Sequence, residues 1–116
     1  MTFAEYQSLA TRTWNARNNR AYDEDARYKY MYLTLGLVSE AGEVADKVKK
    51  VMRNDGGNFT EEKKQEILLE LGDVLWYAAM MAQELGGTFE QVAEMNIKKL
   101  EDRAARGKIA STGDHR

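Results

Sequence analysis

The sequence predicts an all-α fold: one domain built as a compact helical bundle of four main helices. Three observations carry the prediction. The 116-residue chain has no proline, which long helices tolerate and loop-rich β folds rarely do. Apolar residues recur at helical spacing in four separate segments. Capping residues and glycine pairs punctuate those segments where helices would begin and end.

Each element has its own signals. Thr2 caps a first helix with Glu5 at capping-box spacing, and Phe3, Tyr6, Leu9, Ala10, Thr13 and Trp14 follow the helical period. The polar stretch from Asn15 to Arg20 reads as a loop, so residues 1–24 form an N-terminal helix and its connection. A second helix is expected from about Asp25 to about Arg53. It is apolar from Tyr30 to Val38 and turns basic at Lys47, Lys49 and Lys50, where cations suit the C-terminal end of the dipole. Asn54-Asp55-Gly56-Gly57-Asn58 breaks the chain. Thr60 opens a third helix, with Glu61 and Glu62 in its first turn, and Gly86-Gly87 closes it after Leu85. Thr88 caps a fourth, with Gln91 at box spacing and Phe89, Val92, Ala93, Met95, Ile97 and Leu100 as its apolar contacts. Residues 107–116 are a polar tail, expected to be ordered only by a partner or ligand.

Composition narrows the function. Hydrophobic residues make up 43% and charged residues 31%, ordinary for a soluble globular chain. A formal charge of −2 argues against nucleic acid or an anionic membrane as partner. There is no Cys, and the single His115 lies at the C-terminal end, so zinc and histidine-ligated di-iron sites are not expected. No signal peptide or membrane-spanning run is evident, and a cytoplasmic location is the expectation.

Two short stretches echo each other: Ser39-Glu40-Ala41-Gly42-Glu43-Val44 and Leu69-Glu70-Leu71-Gly72-Asp73-Val74. Acids three apart share one side of a helix, so two such helices packed face to face gather Glu40, Glu43, Glu70 and Asp73 into one cluster. Both pairs lie in apolar segments. Between Leu71 and Ala82, Asp73 is the single charge, and a helix apolar all round is normally buried. Asp73 is therefore expected to be buried or to face a cavity. An unpaired buried carboxylate costs several kcal/mol, comparable to a domain's whole stability margin. Gly36, Gly42 and Gly72 remove bulk nearby and are expected to let helices approach closely, at a helix cost of ~1 kcal/mol each. A lone Glu-x-x-Glu is usually a solvated face; two matching pairs in apolar helices are not. Four oxygen ligands without imidazole suit Mg²⁺, with Mn²⁺ as a substitute. Mg²⁺ so held engages substrate phosphates, and the chemistry to expect is attack of water on phosphorus.

At these residues the chain resembles the MazG-like all-α nucleoside triphosphate pyrophosphohydrolases, over roughly Tyr30 to Arg106. The family signature is a Glu-x-x-Glu helix followed by a Glu-x-x-Asp helix, and both occur here in order. The resemblance implies hydrolysis between the α and β phosphates of an NTP or dNTP, giving monophosphate and pyrophosphate. It implies Glu40, Glu43, Glu70 and Asp73 as Mg²⁺ ligands, with Glu43 or Glu40 also orienting the attacking water. It places Tyr77 near the phosphates and Asn96 and Lys99 at sugar and phosphate; Arg103 continues that face. Many members carry an acid immediately before the first and third motif acids, where this chain has Ser39 and Leu69, so the number of metal ions stays open. Trp14 is the candidate for an early tryptophan over the base, with packing of the first helix as its alternative. Trp76 is read as core or subunit contact. Lys47 and Lys50 either neutralise phosphates or are solvated, and Tyr22, Tyr28, Tyr30 and Tyr32 line either a base pocket or a subunit interface.

Two long helices apolar nearly all round cannot be covered by two short ones, so a homodimer or a dimer of dimers is expected. The enzyme reading, serving dNTP pools or house-cleaning, has two alternatives: a phosphoribosyl-ATP pyrophosphohydrolase, and a non-catalytic helical interaction protein whose acids form structural ion pairs.

Overall fold

The structure is a computed structural model and describes residues 1–17 and 23–107. Four α-helices follow in chain order: α1 (Phe3–Ala16), α2 (Ala26–Asn54), α3 (Glu61–Glu84) and α4 (Phe89–Ala105), with no strand among the described residues. Three features raised by the sequence lie outside the described residues: part of the polar stretch after Ala16, Tyr22, and the tail beyond Gly107 with His115.

Local chemistry sets the helix ends. Thr2 and Thr88 each close a full capping box, with Glu5 and Gln91 respectively. Asp25 and Thr60 cap α2 and α3 by accepting from the backbone N–H groups of Arg27 and Lys63. Gly86 ends α3 at φ +84°, a left-handed conformation that glycine adopts without steric cost.

The scaffold is the antiparallel hairpin of α2 and α3. Its register is fixed by contacts along its length: the Tyr30 hydroxyl donates to the Glu84 carbonyl, Gly36 lies against Tyr77, and Lys47 pairs with Glu70. Leu33, Ala79 and Met80 form the centre of the core with Ala10, Trp14 and Phe89. α1 lies across this end of the hairpin. Gln7 ties it down with both halves of its side-chain amide. Its Nε2 donates to the carbonyls of Ala79 (3.3 Å) and Gly87 (3.5 Å), and its Oε1 accepts from the Phe89 N–H (3.1 Å). α4 packs on α1 and α3 but not on α2, and Phe89 is its one buried residue.

The apolar circumference predicted for α2 and α3 is not covered within one chain. On α2, Met31, Leu35, Val38, Gly42 and Ala45 fall at alternating spacings of four and three and all face outward, as does Met52 two turns on, with Leu35 68% and Val38 66% exposed. On α3, Leu68, Leu69, Leu71 and Leu75 are exposed as well. The expected burial of Asp73 is therefore not found: it is exposed in the single chain. Two of the three glycines also depart from expectation. A Cβ at Gly42 or Gly72 would meet nothing within 4 Å, so only Gly36 marks a close approach inside the chain. Among the described residues, no helix is long and apolar enough to cross a membrane.

Candidate metal centre

Midway along the hairpin, α2 turns Glu40 toward α3, which presents Glu70 and Asp73 three residues apart. One carboxylate oxygen from each of the three lies within 4.8 Å of the others. Glu43, the fourth predicted ligand, stands one turn farther along α2 and is not part of this trio. It lines an adjoining cavity of about 380 Å³ shared with Lys47, Lys50, Lys63 and Glu66. Lys47 does not pair with Glu43 along its own helix. Its Nζ crosses to Glu70, 3.4 Å from Oε1. Lys50 pairs with Asp46, and Lys63 with Glu66.

The electrostatics match this geometry. Burial pushes the Glu40 carboxyl above the usual carboxylate range, and the charges of Asp73, Glu70 and Glu43 push it in the same direction. Each charged neighbour acting on Glu40 is thus another carboxylate. Tyr6 of α1 borders the site too: burial raises its hydroxyl's pKa, with Asp73 adding to the effect. Periodicity identified Tyr6 only as a packing residue, because proximity to an acid 67 positions away leaves no mark on a single helix's pattern.

The other predicted site residues are dispersed. Tyr77 lies one turn beyond Asp73, its ring centroid 6.5 Å from that of Tyr32, and its pKa is raised by burial first and then by Tyr32, Glu40 and Asp73. Asn96 and Lys99 line a separate small cavity on α4 with Val92 and Met95, and Arg103 is half-buried farther along that helix. None of the three shares the cavity beside Glu43. Trp14 does not match the expected base platform. It is 2% exposed, its Nε1 donates to Glu84 at 2.8 Å, the Arg17 guanidinium covers its ring, and Trp76 and Tyr32 flank it. It is core, as its alternative reading held.

The donor set tests which ion fits. All the converging atoms are carboxylate oxygens, and the chain has no thiol. Three mutually repelling carboxylates with one amine at their edge favour a hard divalent cation of the Mg²⁺ or Mn²⁺ type.

Residues 29–107 match the family described as the MazG nucleotide pyrophosphohydrolase domain. The chain belongs to the MazG family. The match takes in α3, α4 and nearly all of α2, with Glu40, Glu43, Glu70 and Asp73, and leaves α1 outside. A phage relative, "Gene 37 protein" of Mycobacterium phage L5, is 44% identical over 96 residues, covering 83% of this chain and 84% of that protein. No solved structure matches. MazG proteins are an all-α pyrophosphohydrolase family that typically uses a divalent metal, and the acidic trio lies within the matched residues.

Proposed function

We propose that this MazG chain is a Mg²⁺-dependent nucleotide pyrophosphohydrolase that cleaves the α–β phosphate bond of an NTP or dNTP, acting in the cytoplasm. One observation carries the reading: acids from two helices, distant in sequence, converge their oxygens within 4.8 Å. Mg²⁺ bound there supplies charge compensation for the phosphate oxygens. Glu40, Glu70 and Asp73 hold it. Glu43, which lines the cavity, or Glu40, one turn before it, orients the attacking water and accepts its proton. The water oxygen bonds to the α or β phosphorus as the P–O bond between the two phosphates breaks, and monophosphate and pyrophosphate leave. Lys47, Tyr77, Asn96, Lys99 and Arg103 are the proposed substrate contacts.

The reading includes a second copy of the chain, as a homodimer or a dimer of dimers. Supporting it, α2 and α3 leave Met31, Leu35, Val38, Leu68 and Leu69 exposed in the single chain. The outward stripe from Met31 to Ala45 has the four-three spacing that pairs helices.

The deciding experiment is Asp73→Asn, assayed with a panel of NTPs and dNTPs in Mg²⁺. The expected result is near-complete loss of pyrophosphate release with unchanged far-UV circular dichroism. Single phosphate as the main wild-type product would exclude α–β cleavage. Unfolding of the variant alongside an inactive wild type would favour structural ion pairs.

A further inference from the structure

Gly36 stands apart from the other helix glycines. A Cβ placed on it would lie 2.1 Å from Tyr77 Cε1, 2.4 Å from Cζ and 2.6 Å from Cδ1. These are ring atoms, not the tip of a flexible chain, so they cannot give way independently. The ring's surroundings leave it little room to swing: Tyr32, one turn before Gly36, lies 6.5 Å away between centroids, and Trp76 packs edge-on at 4.9 Å. Gly42 and Gly72, inside the acidic motifs, show the contrast, since a Cβ at either meets open space.

Position gives the contact its consequence. Gly36 is one helical turn before Glu40 on α2, and Tyr77 is one turn after Asp73 on α3. The ring therefore lies against bare α2 backbone immediately beside the carboxylate trio. We propose that Gly36 and Tyr77 form a steric latch that sets the separation of α2 and α3 at the metal centre, making both positioning residues for the Glu40–Glu70–Asp73 trio. With any side chain at 36, the ring must leave or the helices must part, and the three oxygens, drawn from both helices, lose their common point. The latch rests on the metal-centre reading above and adds to it the element that holds the ligands in register.

The test is a double-mutant cycle on the full chain, read by Mn²⁺ titration with electron paramagnetic resonance of the free ion. Gly36→Ala is expected to weaken Mn²⁺ binding about tenfold or more, the size seen when residues supporting metal ligands are removed. In a Tyr77→Ala background, Gly36→Ala is expected to cause no further loss, because the ring it strikes is gone. Should Gly36→Ala alone fail to fold, the double variant must recover helicity by circular dichroism. Gly36→Ala binding Mn²⁺ like the wild type, equal losses in both backgrounds, or no recovery in the double variant would each overturn the latch while leaving the metal centre standing. A wild type that binds no Mn²⁺ overturns both.

Discussion

Replacing Glu40 with Gln should act in opposite directions with and without metal. In the metal-free protein, Glu40 faces Glu70 and Asp73 with oxygens within 4.8 Å. Two unit charges at that separation repel by about 0.9 kcal/mol at the dielectric of water and about 3.5 kcal/mol at an effective value of 20. Asp73 is exposed and Lys47 offsets part of the Glu70 charge, so the low end applies to both pairs. Removing the Glu40 charge then stabilises the metal-free fold by roughly 1–2 kcal/mol, or roughly 4–8 °C in Tm for a chain of this size. In Mg²⁺ the sign reverses, because the variant loses a ligand. Thermal melts at one protein concentration, in EDTA and in millimolar Mg²⁺, read both effects. Glu40→Gln should melt higher than wild type in EDTA and lose most of the Mg²⁺-induced rise. A variant that melts lower in EDTA yet keeps the full Mg²⁺ shift would refute the shared carboxylate cluster.

Other expectations follow from the same structure. Burial and like charges raise the Glu40 pKa in the fold, so the folded state holds that proton more tightly than the unfolded chain. Its contribution to metal-free stability is complete below the ordinary glutamate range and is lost as pH rises through the elevated value. EDTA-treated wild type should therefore lose more Tm than Glu40→Gln as pH rises from the ordinary glutamate range toward neutral. Leu35→Glu or Val38→Glu places a charge in the exposed α2 stripe and should shift a dimer to monomer by light scattering over a dilution series; a wild type that stays monomeric at high concentration would refute the second copy. Gly86→Ala should cost about 1–2 kcal/mol in denaturant melts through its left-handed backbone, since a Cβ there meets no neighbour.

Helix identity was legible because its signals are local. Thr2, Asp25, Thr60 and Thr88 each stand immediately before an observed helix, and Gly86 follows the end of α3. Of the four acids expected to cluster, three converge: spacing of three keeps Glu70 and Asp73 together, while Glu43, at the same spacing from Glu40, stands outside the trio. Partnership across helices was not legible. Nothing in the pattern around Lys47 distinguishes Glu43, on its own helix, from Glu70, on the next. Trp14 leaves both a base platform and core packing open in sequence, and its burial and hydrogen bond to Glu84 place it in the core. The exposure of Asp73 and of the leucines around it has a different cause. An all-round apolar helix signals that something must cover it, but periodicity does not say whether the cover comes from the same chain.

Gln7 has a consequence for how the first helix is held. Its amide is satisfied by main-chain groups at positions 79, 87 and 89, so one uncharged side chain staples α1 to the corner between α3 and α4. The indole of Trp14 makes a second tie, to Tyr32, Trp76 and Glu84 of the central hairpin. The helix is thus clasped at two points, and neither clasp can be made by its neighbours in sequence.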